Sequence, residues 1–182
     1  MIDYEKIIDK YYDSDSRLRT ILTVHSRLVA DKALRCAAAR RLDVDLKFIE
    51  EAAMLHDIGI FRCNAPDIFC HGDLPYICHG VEGRRILDAE GLPRHALVCE
   101  RHTGSGLTVD DIIRQNLPLP HRDMTPQSEE EQLICYADKF FSKSGDITSE
   151  KPIEKIMTSL ARHGEQTLER FILLHHKFSE ST

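Results

Sequence analysis

Apolar residues recur at three- and four-residue spacing along most of the chain, the period of helices with one buried face. No run of alternating β-branched residues is long enough to predict a strand. The pattern predicts helices at about 2 to 12, 15 to 41, 44 to 57, 78 to 90, 93 to 102, 109 to 116, 128 to 143, 151 to 162 and 165 to 178. Boundary residues agree with this division. Asp45 is suited to cap the third helix, and Gly59 to stop it with a left-handed backbone. Gly91-Leu92-Pro93 ends one helix and starts the next, with Pro93 in the first turn, and Pro152 is read in the same role. Ser128-Glu129-Glu130-Glu131 matches a capping box. Proline and glycine mark 60–77, 103–108 and 117–127 as loops. The expected fold class is all-α, a compact multi-helix bundle. A single domain over 1–182 is expected, its motif-bearing core at about 20–143 and its C-terminal helices at about 151–178 packing on that core.

Placing the polar residues on these helices gives the informative result. The apolar stripe of the second helix runs Leu18, Ile21, Leu22, then His25, then Leu28 and Val29, so a histidine points inward. Ile49, Ala52 and Ala53 lead on one face to His56, with Asp57 next. His79 shares a face with Gly83, Ile86 and Leu87, His102 with Val98 and Cys99, and Asp138 with Ile134, Ala137 and Phe141. Any one of these is readily a satisfied core residue. Jointly, four imidazoles and two carboxylates inside one small core need a shared partner, because a buried carboxylate or imidazole costs several kcal/mol unless paired. A divalent metal is the economical partner, and imidazole with carboxylate suits Fe, Mn, Co or Zn better than Mg.

Composition narrows the partners. The chain has 24 Lys+Arg against 30 Asp+Glu, a formal net charge of −6. That balance offers no basic field for a nucleic-acid backbone, so no nucleic-acid partner is expected, while a small phosphorylated ligand remains open through local cations. No stretch approaches the roughly 20 apolar residues of a membrane span, so no membrane partner is expected. The start, Met1-Ile2-Asp3-Tyr4-Glu5-Lys6, lacks the basic and apolar regions of a secretory signal, and a cytoplasmic location is expected. Six cysteines, none in a Cys-x-x-Cys pair, read as reduced core fillers, which argues against a thiolate zinc site.

In this order and spacing, His25, then His56-Asp57-Ile58-Gly59 ending a helix, then Asp138 within Ala137-Asp138-Lys139 resembles the HD-domain superfamily of metal-dependent phosphohydrolases. The resemblance covers roughly residues 20 to 143. His79-Gly80 and His102-Thr103-Gly104-Ser105-Gly106 are similar to the two extra histidines of the binuclear branch, which includes symmetrically cleaving diadenosine tetraphosphate hydrolases. The stretch from His102 through Leu117-Pro118 and Arg122-Asp123 is more similar to a group of small HDIG proteins of unassigned substrate. Where many relatives carry Lys after His-Asp-Ile-Gly, this chain has Ile60, and Arg62 is a candidate replacement. There is no Gly-Tyr-Pro triplet, so the cyclic dinucleotide phosphodiesterase subgroup is disfavoured.

The resemblance implies two divalent ions, one held by His25, His56, Asp57 and Asp138, the other by His79 and His102, with Asp57 bridging. It implies cleavage of a phosphoester or phosphoanhydride bond in a nucleotide-like substrate. Catalytic roles fall to His56, Asp57 and Lys139, and substrate contacts to Lys139, Arg62 and Arg101. Arg84 and Arg85 are weaker candidates, facing solvent. His71 is read as a gate or a bystander, His175 and His176 as structural, and His95, His121 and His163 as surface residues. Two alternatives stand beside this reading: a catalytically silent metal- or nucleotide-binding regulatory module, and a helical interaction protein. A homodimer is left open.

Overall fold

The structure is a computed structural model, and it describes residues 2–180. Nine α-helices are found among them: α1 (Tyr4–Tyr11), α2 (Arg17–Arg40), α3 (Leu46–Leu55), α4 (His79–Ala89), α5 (Pro93–Arg101), α6 (Val109–Arg114), α7 (Glu129–Asp138), α8 (Ile153–Ala161) and α9 (Glu165–Phe178). Their starts follow from local chemistry. Ser16, Asp45, Thr108 and Ser128 each accept a hydrogen bond from a first-turn backbone N–H, satisfying a donor that the helix itself leaves open.

α2 is the spine of the molecule. It packs against α3 and α7, while α4 and α5 form the most extensive helix pair. One apolar cluster joins Val29 and Ala33 of α2 to Ile49, Leu133, Ile156, Leu160, Phe171 and Phe178, so α8 and α9 close over the α2–α3–α7 layer. A second joins Leu22 to Ile8, Leu55, Ile58, Leu87 and Cys99. His25 lies on α2 between Leu22 of one cluster and Val29 of the other, which sets an imidazole at the seam of two oily regions.

Several boundary expectations are corrected. The 60–77 loop contains a small antiparallel pair, β1 (Asn64–Ala65) with β2 (Cys70–His71), in register Asn64 to His71 and Ala65 to Cys70. Two-residue strands carry no alternation long enough to read. Gly59 has φ −83°, so it does not stop α3 by left-handed geometry. Its lack of a side chain serves a close approach instead, because a Cβ there would collide with the His79 carbonyl oxygen and the Gly83 nitrogen. Pro152 is the residue capping α8 rather than its first helical position. The reciprocal capping box forms at Thr108 and Asp111. At Ser128 only the serine half forms, since the Glu131 carboxylate turns to Gln127 and Arg101. α7 ends at Asp138, five residues earlier than the apolar period suggested. Ser142, Ser144 and Gly145 are the breaker signals that account for the coil beyond it.

All six cysteines are free and buried. His95, expected at the surface, is buried against the Phe48 ring at 4.8 Å and lies 3.4 Å from Glu51, because α5 turns that face toward α3.

Candidate metal centre

The six inward polar residues meet. His25 comes from the middle of α2, His56 and Asp57 from the end of α3, His79 from the first position of α4, His102 from the end of α5, and Asp138 from the end of α7. All are buried. Gly80 lets α4 come close to α5 here, since a Cβ on it would lie 2.6 Å from the Cys99 carbonyl oxygen.

Three of the histidines are oriented by the same local device. His56 Nδ1 lies 2.6 Å from the Ala53 carbonyl, His79 Nδ1 2.6 Å from that of Tyr76, and His102 Nδ1 2.8 Å from that of Cys99. In each case the partner is the backbone carbonyl three residues earlier, at a helix end or turn. A carbonyl only accepts, so Nδ1 donates. That leaves Nε2 as the acceptor whenever the ring is neutral.

These Nε2 atoms face other acceptors. Asp57 Oδ2 lies 3.2 Å and Asp138 Oδ1 3.4 Å from His56 Nε2, while His25 Nε2 hydrogen-bonds to Asp138 Oδ1 at 2.9 Å and lies 3.3 Å from Asp57 Oδ2. The other oxygen, Asp57 Oδ1, lies 3.5 Å from His79 Nε2 and 3.4 Å from His102 Nε2, which are themselves 3.1 Å apart. His56 Nε2 and Asp57 Oδ1 make no hydrogen bond among the described residues, while Asp57 Oδ2 has the Lys143 ammonium at 2.6 Å. Lone pairs turned on lone pairs in a dry interior are repulsive unless a proton or a cation lies between them. In two groups, His25 with His56, Asp57 and Asp138, and Asp57 with His79 and His102, the ligand atoms lie within 4.8 Å of one another, a spacing that can hold a metal ion. The donor set therefore fits one.

Electrostatics divides the groups in the same way. Burial opposes the charge on His56, but the Asp57 and Asp138 carboxylates outweigh it and raise that imidazole to about 9. Burial lowers His79 to about 3, with His102 and Lys143 adding to the effect, so it stays neutral. Burial works against both carboxylates, yet Lys143 and the imidazoles hold Asp57 well below the usual range, and Lys139 and Lys143 do the same for Asp138.

The basic residues behave less uniformly. Lys139 Nζ sits 2.6 Å from Asp138 Oδ2 and 3.1 Å from the His102 carbonyl, at the rim of the cluster. Arg101 is turned away and pairs with Glu131 at 2.9 Å. Arg62 is largely exposed, with Glu82 at 3.8 Å. Neither arginine lines the cavity beside Asp138, so the structure does not bring these two expected substrate contacts to the site. Arg84 and Arg122 both clamp the buried Glu100 carboxylate. His71 is exposed on β2, and the His175 ring meets the Tyr136 hydroxyl at 2.9 Å.

Sequence reasoning missed Lys143, whose Nζ lies 2.6 Å from Asp57 Oδ2. It sits in coil beyond the observed end of α7, where the expected helix to 143 does not form and the period therefore misplaces it. It also missed Tyr76, whose ring stacks on His79 at 4.7 Å.

The HD domain family profile matches residues 23–142, from just before His25 to just beyond Asp138. The chain belongs to the HD domain family. A relative described as the uncharacterized protein MJ0778 of Methanocaldococcus jannaschii is 30% identical over 85% of this chain and 86% of its own length. A tRNA (cytidine(56)-2'-O)-methyltransferase of Thermoplasma volcanium is 27% identical over 93% of this chain, which spans only 44% of that protein. One of the same description from Picrophilus torridus is 30% identical over 72% of this chain and 34% of its own length. The crystal structure of the L. monocytogenes phosphodiesterase PgpH HD domain aligns with 96% of this chain and 95% of that chain, with a TM-score of 0.51 and 15% identity. At that identity the likeness shows a shared fold. No helix among the described residues is long and apolar enough to cross a membrane.

Proposed function

We propose that this chain is a metal-dependent phosphohydrolase cleaving a phosphoester or phosphoanhydride bond of a nucleotide-like substrate. The observation that carries the reading is the Asp57 carboxylate, fully buried, with one oxygen turned to His25 and His56 and the other to His79 and His102. Such a group would be shared between two ions if both were bound. In this reading His25, His56, Asp57 and Asp138 hold one divalent ion and His79 and His102 help hold a second, from the set Fe, Mn, Co or Zn that imidazole and carboxylate favour. Two such ions, when bound, supply Lewis acidity toward phosphoryl oxygens and a lowered pKa for water. Asp57 and Asp138 offset only two of the four positive charges of the pair, so the site keeps a net attraction for phosphate within an acidic protein. The carbonyls of Ala53, Tyr76 and Cys99 fix the three imidazoles in the tautomer that offers Nε2. Lys139, at the rim, is placed to pair with a phosphoryl oxygen.

Membership of the HD domain family and the fold shared with a phosphodiesterase domain support this reading. A second reading, a binding module serving an RNA-acting protein, draws on the similarity to part of two tRNA methyltransferases. The deciding experiment is a metal count by mass spectrometry on protein purified without chelator, coupled to phosphate release from mono-, di- and polyphosphate nucleotides. Stoichiometric transition metal with turnover of at least one nucleotide is expected. Metal without any turnover favours the binding module, and no metal at all contradicts the hydrolase reading.

A further inference from the structure

A cavity of about 480 Å³ opens directly beside Asp138, a size within the range of small-molecule sites. Four lysines line it: Lys139 and Lys143 just after α7, Lys151 just before the Pro152 cap of α8, and Lys155 in the first turn of α8. A backbone hydrogen bond from Lys151 N to the Phe140 carbonyl, 2.7 Å long, ties the two segments together and brings the pairs to one cleft. Against four ammonium groups the lining carries two carboxylates, Asp67 and Asp138. That is a local cationic excess in a chain whose net charge is −6.

The two pairs differ in what they already hold. Lys139 and Lys143 each lie 2.6 Å from a carboxylate oxygen, of Asp138 and Asp57 respectively. If those carboxylates bind metal, both ammonium groups lose part of their counter-charge. Lys151 and Lys155 have no ion-pair partner among the described residues. Burial lowers the Lys151 ammonium, Asp138 opposes that, and Lys139, Lys143 and Lys155 lower it further, so the four cations share one field.

We infer that this cleft seats a chain of phosphates, and that the substrate class is a nucleotide-like molecule carrying two or more phosphoryl groups rather than a simple phosphomonoester. A single phosphoryl group at the metal cluster is matched by the cluster itself, whereas unpaired cations extending away from it fit further phosphates. Ile68 and Leu160 add apolar wall for an organic moiety. The inference rests on the phosphohydrolase reading for its link to turnover, but not for binding.

The test uses the full chain and the K151Q/K155Q double variant, whose replaced side chains break no ion pair. Tripolyphosphate and inorganic phosphate are titrated calorimetrically into both proteins, and kcat/KM is measured on a nucleoside triphosphate and the matching monophosphate. The expected result is that the wild type binds tripolyphosphate at least about tenfold more tightly than phosphate. The variant is expected to lose about tenfold of that affinity, as does its kcat/KM ratio of triphosphate over monophosphate. An unaltered ratio and unaltered tripolyphosphate affinity, or equal losses for phosphate and tripolyphosphate, overturns the inference. Variant-sensitive tripolyphosphate binding without turnover of any nucleotide supports the cleft and overturns the hydrolase reading.

Discussion

At Asp57 one side chain serves two sets of neighbours, with Oδ2 near His25 and His56 and Oδ1 near His79 and His102. This split makes a graded expectation for metal content. His79→Ala or His102→Ala removes one ligand of the second group and lowers a count of about two ions per chain toward one. Asp57→Asn leaves both groups short, and is expected to lower activity by more than about 100-fold, beyond the usual range for residues one shell further out. Mass spectrometry of the purified variants reads the metal count, and two ions retained in either histidine variant contradicts the assignment. The inward direction of all six residues was legible from helical spacing, because apolar neighbours at three and four positions define which side is buried. The basic residues were not. Arg101 immediately precedes His102 in sequence yet turns to Glu131, while Lys143 reaches Asp57 from a coil that the apolar period had placed in the last turn of a helix.

At the level of elements, the site depends on how closely α3, α4 and α5 approach one another. Gly59 and Gly80 are the points of contact, and a methyl group at Gly59 would meet the backbone of His79 and Gly83. Backbone cannot step aside as a flexible side chain does. Gly59→Ala is therefore expected to cost about 1 to 3 kcal/mol, the usual range for forced overpacking, and to weaken metal retention by displacing His79. Chemical denaturation gives the first quantity and metal content the second. Unchanged stability would show that α4 can shift without loss. The glycine itself was legible in the sequence, but its reason was not. A left-handed stop and a close approach both demand glycine, and only the packing of α4 against the end of α3 separates them. The same holds for α7: its period continues past Asp138, while its backbone does not.

For the whole molecule, ligands drawn from α2, α3, α4, α5 and α7 make the centre a staple across most of the bundle. A metal held by the folded chain and not by the unfolded one stabilises it by about 2.7 kcal/mol at a free concentration 100 times Kd. Thermal melting is expected to rise on adding Mn²⁺ or Zn²⁺ and to fall after exhaustive chelation, and the D57N variant is expected to respond little. A wild-type midpoint indifferent to both treatments contradicts a centre built across these helices. The all-helical class, the inward histidines and aspartates and the loops between them were set by local sequence, since periodicity, caps and breakers act within a few residues. Tertiary structure alone decided which oxygen of Asp57 faces which histidines, that the lysines after α7 and around the start of α8 share a cleft, and that Arg62 and Arg101 lie elsewhere. Those relations join residues far apart in the chain, and they follow from how helices pack against each other, which no local period encodes.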